Sequence, residues 1–199
     1  MRNSSTRLLL TCAAIGVGGG LVFVASGYIQ GLLAATLPIL YGSLVGIYFF
    51  PGVIAQSLLR RGGVALLTGL FAGLVAAAFS PQWFFRYLGA GLAIGLLQEL
   101  PFLVTRYRYW RAWIFYLAAA VAGLLFGLGV FVFIGLEHFT GWANLLYFAL
   151  FAISPVVVTW LGRIIADRLD RTGVARGLQL EIDRRAGRRE MTNALMVAA

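Results

Sequence analysis

Gln98 and Glu99 stand side by side in the apolar run LAIGLLQELPFLVTRYRYW (92–110), two residues ahead of Pro101 and just before a burst of arginines. A carboxylate deep in hydrocarbon costs about 2.5–3.5 kcal/mol on insertion scales, so Glu99 must face a protein interior. Pro101 has no N–H to give the Leu97 carbonyl, which leaves a spare acceptor close to the amide and the acid. Such a spot could contact a ligand, pairing its charge with a cation. It could equally tie helices together, with Arg106 as one partner for the acid.

A second cluster, SPQWFFRY (80–87), interleaves Trp83, Phe84, Phe85 and Tyr87 with a lone Arg86 and Gln82. Aromatic faces of this kind stack on flat or cationic heterocycles, although Trp and Tyr also form ordinary interfacial belts. Tyr41 and Tyr48 lie seven apart, close to two α-helical turns, and so would share one face, as a pocket wall or as plain packing. Ala14-x-x-x-Gly18 and Gly16-x-x-x-Gly20 carry the small-residue spacing of close helix contact in lipid. That face would pack inside the bundle or dock a second membrane subunit through Ala14, Gly16 and Gly18. His138 beside Glu137 offers too few donors for a metal site, and Cys12 is the single cysteine, so neither a metal nor a disulfide is expected. There is no phosphate-cradling Gly-Lys-Ser/Thr loop and no G-x-S-x-G elbow. We expect no catalytic residue and no cofactor.

These residues need a scaffold, and the composition names its class. Apolar residues make up 61% of the 199 and charged residues 12%, about half the share in soluble domains. All sixteen basic residues are arginine, and the isoelectric point near 10.6 reflects basic loops on a membrane protein rather than nucleic-acid binding. The apolar stretch from Arg7 to Tyr28 outlasts a signal-peptide core of about 7–15 residues. Six apolar stretches are expected to span the bilayer, at about 7–29, 35–59, 63–80, 84–105, 112–136 and 141–166. The third is the shortest, ending at Ser80-Pro81-Gln82. Arg2, Arg7, Arg60, Arg61, Arg106, Arg108, Arg111 and the tail from Arg163 all fall on one side, against Arg86, Glu137 and His138 on the other. By the positive-inside rule both termini are cytoplasmic. The expectation is an all-α, polytopic membrane protein: a six-helix bundle over 1–170 and a cytoplasmic tail over 171–199 that is solvated or docks a partner. Glu99 then lies nearer the cytoplasmic end, so a pocket loaded from outside would have to reach deep.

The chain resembles the substrate-capture (S) components of energy-coupling factor (ECF) vitamin importers, most of all their YkoE-like branch, associated with thiamine and its hydroxymethylpyrimidine precursor. The resemblance runs over roughly residues 35–178. It is carried by Pro38 with Tyr41, Gly46-Ile47-Tyr48, Val53-Ile54-Ala55 with Gly63, Glu99, Phe102-Leu103 with Thr105-Arg106, and Thr172-Gly173-Val174 with Gly177. It implies a multi-pass protein of the bacterial cell membrane that binds a small vitamin from outside. Its partners would be a transmembrane coupling subunit and two ATPase subunits. Glu99 matches a family glutamate, and Tyr48 replaces a tryptophan. Acidic family positions appear as Gly42, Gly69 and Ala76, which weakens the case for cationic thiamine and favours a neutral pyrimidine or another small heterocycle. Glu99 and Gln98 are the expected polar ligand contacts, and Trp83, Tyr87, Tyr41 and Tyr48 the aromatic walls. The rival from another class is a membrane scaffold or assembly protein in which Glu99 is structural.

Overall fold

The structure, a computed structural model, describes residues 3–107, 110–134 and 141–172. Arg2, Arg108, Glu137, His138 and the tail from Gly173, with its docking role, lie outside the described residues. The described part is helical: α1 (Asn3–Thr36), a 3-10 helical segment (Pro38–Phe49), α2 (Phe50–Leu59), α3 (Val64–Phe79), α4 (Phe84–Val104), α5 (Ala112–Ile134) and α6 (Gly141–Arg171). Five stretches are long and apolar enough to cross a membrane, the 3-10 segment and α2 together making one of them. The 16-residue α3 is the short sixth; at 1.5 Å per residue it reaches about 24 Å, against a hydrocarbon core of about 30 Å. Leu10, Leu32, Val104, Val132 and Leu145 are largely exposed, an apolar exterior suited to lipid.

Helices pack where side chains vanish. On α3 and α4, Gly69 faces the Gly91 carbonyl, Gly91 faces the Gly69 carbonyl, and Gly95 lies against the Ala65 carbonyl, so the two backbones touch. Acids at Gly42, Gly69 or Ala76 would have no room: Gly42 abuts the Phe151 ring, and Ala76 is fully buried.

The 3-10 segment departs from the expected second helix. Its burial repeats every three residues: Val45, Gly46, Tyr48 and Phe49 are buried, while Tyr41, Leu44 and Ile47 are partly exposed. A pitch of three residues per turn gives that period. Tyr41 and Tyr48 therefore occupy adjacent rows about 120° apart and do not share one row as the α-helical spacing predicted. Ser154 of α6 secures the segment, its hydroxyl accepting from the Gly46 N–H (3.0 Å) and donating to the Ser43 carbonyl (2.6 Å).

The turns carrying Arg60–Arg61 and Arg106–Tyr107 meet at one end of the bundle, where Gly62 abuts the Tyr107 ring. There α4 and α5 are pinned by Phe102, stacked on Trp110 at 4.8 Å and tilted against Phe115 at the same distance. At the opposite end the same two helices are held apart by a cavity.

Candidate functional site

That cavity has a volume of about 800 Å³, within the range of small-molecule sites. Arg86, Ala90, Ala93 and Leu97 line it from α4 at the 4-3-4 spacing of one helix face. Phe126 and Val130 of α5 stand opposite, Tyr41, Val45 and Tyr48 come from the 3-10 segment, and Trp83 and Tyr87 close the corner before and within the first turn of α4. The wall is overwhelmingly apolar and aromatic, with a few polar groups at fixed places. Arg86 Nη2 donates to the Tyr41 hydroxyl at 3.2 Å, and its guanidinium carbon lies 5.2 Å from the centre of the Trp83 ring. Tyr48 donates to Gln30 Oε1 on α1 at 3.0 Å. Gln30 is fully buried, and its Nε2 has no partner among the described residues. The Tyr87 hydroxyl sits against Gly27, where any larger residue would displace it.

Trp83, Tyr87, Tyr41 and Tyr48 are thus brought together around one space. Glu99 and Gln98 do not join them on the lining of this cavity. Glu99 lies at the arginine-rich end, 6% exposed, with both carboxylate oxygens occupied. Oε1 accepts from the Ala65 N–H at 2.8 Å, and Oε2 accepts from the Tyr107 hydroxyl at 3.0 Å. Ala65 is in the first turn of α3, whose N-cap is Gly63, at φ 84° and without a side chain to accept from the free amides. Glu99 supplies that missing cap from α4, where the positive end of the helix dipole also favours an anion. Tyr107 reaches it because Arg106 and Tyr107 both adopt left-handed backbone (φ 50° and 57°), which turns the chain back under α4. Burial first, then the Glu99 carboxylate, push the Tyr107 phenol up to about 12, so it stays a donor.

Gln98 is likewise tied within the protein, its side-chain Nε2 donating to the Phe49 carbonyl at 2.9 Å while its main-chain carbonyl accepts from Gln56 Nε2 at 3.3 Å. The void beside it, about 10 Å³, has room for one water at most.

The two small-residue frames of α1 separate. Gly16 and Gly20 pack on α3, a Cβ at Gly16 coming within 2.5 Å of Phe71 Cβ. Gly16 is therefore buried against α3. Ala14 and Gly18 are exposed, and a Cβ added at Gly18 would meet no other part of the bundle within 4 Å.

Sequence reasoning placed Arg86 in the aromatic cluster but not among the site residues, and it missed Gln30, Ala90, Ala93, Leu97, Phe126 and Val130. Gln30 was legible as a lone amide in an apolar helix, had the first span been carried past 29.

The likeness to known proteins agrees with this architecture. A solved structure of an S component of an ECF transporter superposes with a TM-score of 0.80 at 23% identity, over 94% of this chain and 96% of that one. The chain therefore has the S-component fold. A family model described as the permease component of an ABC-type cobalt transport system matches residues 8–125, more than half of the chain, which belongs to that family. YkoE of Bacillus subtilis (strain 168), whose name provisionally makes it an HMP/thiamine permease, is 25% identical over 184 residues, covering 90% of this chain and 92% of its own length. The chain is thus a member of a membrane transport family with the S-component fold.

Proposed function

We propose that the chain is the substrate-capture component of an ECF-type ATP-driven importer, multi-pass in a bacterial cell membrane with both termini inside. The observation that carries this reading is the roughly 800 Å³ aromatic cavity at the arginine-poor end of an S-component fold. With the arginine-rich loops facing the cytoplasm, that end is the outer one. The cavity is therefore placed for loading from outside, without the deep reach that a Glu99 site required. Tyr41, Tyr48, Trp83 and Tyr87 wall a planar heterocycle of vitamin size, and the name of YkoE points to hydroxymethylpyrimidine or thiamine as cargo. Another small heterocyclic vitamin is the alternative within the same mechanism. Cobalt, which the family description names, finds no group of three His, Cys, Asp or Glu side chains among the described residues.

The protein itself is assigned no chemical step. Capture is followed by docking on a transmembrane coupling subunit served by two ATPases, and the exposed Ala14–Gly18 face of α1 is the proposed contact. The test is co-reconstitution with such a module in proteoliposomes, where ATP-dependent accumulation of hydroxymethylpyrimidine or thiamine is expected. Gly18→Leu should abolish accumulation while the purified variant still binds cargo. Gly16→Leu should instead lose folding, since it drives a side chain into Phe71. Full transport by Gly18→Leu would remove the docking proposal. No accumulation of either compound by the wild-type assembly would remove the cargo.

A further inference from the structure

The cavity holds one charge on its described lining, and it is positive. Arg86 is partly buried at the mouth, oriented by the Tyr41 hydroxyl and the face of Trp83, with no carboxylate partner among the described residues. The described carboxylates Glu99, Asp167 and Asp170 all lie outside the lining, with Glu99 sealed at the far end of α4. The other polar groups on the wall are neutral phenols and an indole, whose faces attract a cation but carry no charge to offset the neighbouring guanidinium.

We infer that Arg86 sets the charge selectivity of the site: the cavity takes a planar heteroaromatic ligand that is neutral or anionic and turns an acceptor atom toward the guanidinium, and it rejects a fixed cation. This rests on the aromatic cavity being the cargo site. Of the two compounds in the name of YkoE, it selects hydroxymethylpyrimidine, a neutral ring with nitrogen and hydroxyl acceptors, over thiamine with its permanent thiazolium charge. A guanidinium carries five N–H donors in a planar fork, and the Tyr41 hydroxyl takes a bond from Nη2 alone, so donors remain for an acceptor on the ligand.

Two measurements on the purified full chain test it. Calorimetric titration should find hydroxymethylpyrimidine bound at least tenfold more tightly than thiamine, about 1.4 kcal/mol. Arg86→Gln should shrink that gap below threefold, and Arg86→Lys should restore it. Independently of any vitamin, the fluorescence of Trp83, taken as the difference between wild type and Trp83→Phe, should be quenched better by iodide than by caesium. Each quencher is normalised to a free tryptophan amide, and the preference should vanish in Arg86→Gln. Thiamine bound more tightly than the pyrimidine overturns the inference, as does caesium matching iodide. So does a gap indifferent to Arg86→Gln, or a thiamine site lost in Glu137→Gln, which would reveal a counter-charge from the α5–α6 connection. If neither vitamin binds while iodide keeps its advantage, the cargo assignment fails and the charge rule stands. Should Arg86→Gln not fold, the wild-type affinity ratio and the wild-type quenching preference decide.

Discussion

Glu99→Leu is expected to destabilise the folded protein by about 3 kcal/mol, with no change in the affinity of the fraction that folds. Leucine matches the buried volume but accepts nothing, so the Ala65 N–H and the Tyr107 hydroxyl both lose their partner inside the protein. Each buried donor left unsatisfied costs about 1–3 kcal/mol, and the pairing of the carboxylate with the α3 terminus is lost as well. Glu99→Gln keeps an acceptor for Ala65 and lets the tyrosine accept instead of donate, so its loss should stay below about 1.5 kcal/mol. Denaturant titration in detergent micelles, followed by tryptophan fluorescence, measures the first effect, and calorimetry on the same samples measures affinity. A stable Glu99→Leu protein would refute the capping role. A folded Glu99→Gln protein with tenfold weaker binding would return the acid to the ligand site.

Ala93→Phe should do the reverse, weakening cargo binding at least a hundredfold, about 2.7 kcal/mol, with little change in stability. Ala93 lines the cavity from α4, between Ala90 and Leu97 on the same helix face. Overpacking penalties of about 1–3 kcal/mol arise where a core is already full, and this site is not. The added ring takes up cavity volume that a planar ligand needs. Binding of hydroxymethylpyrimidine or thiamine and the unfolding midpoint, measured on the same preparation, separate the two effects. Retained affinity in a folded Ala93→Phe protein would place the cargo elsewhere.

What the sequence disclosed depended on where the physics was local. The limits of α3, α4 and α5, expected at 63–80, 84–105 and 112–136, fall within two residues of Val64–Phe79, Phe84–Val104 and Ala112–Ile134. Arginines and the Ser80-Pro81-Gln82 corner interrupt the apolar runs there in plain view. α1 continues to Thr36 because Gln30, which reads as a polar interruption, is fully buried and paired with Tyr48. Hydropathy does not distinguish three residues per turn from 3.6, so the 3-10 pitch that separates Tyr41 from Tyr48 was hidden. That Trp83 and Tyr87 would lie together on one cavity was legible because they are neighbours in sequence. The choice between the two readings of Glu99 was not legible because one partner is a backbone amide 34 residues earlier, and an amide has no letter in a sequence. The cost of burying an acid correctly predicted that Glu99 faces protein, and it carried no information about which protein atoms would meet it.

The central claim is that cargo sits among Tyr41, Tyr48, Trp83 and Tyr87 and leaves the Glu99 end of the bundle untouched. Fluorine NMR of the protein labelled with 3-fluorotyrosine tests it most directly, with resonances assigned by single Tyr→Phe variants and followed during titration with hydroxymethylpyrimidine and with thiamine. The account predicts that the Tyr41, Tyr48 and Tyr87 signals shift saturably on binding while Tyr107, hydrogen-bonded to Glu99, stays in place. A saturable shift of Tyr107 with the other three unmoved would contradict it.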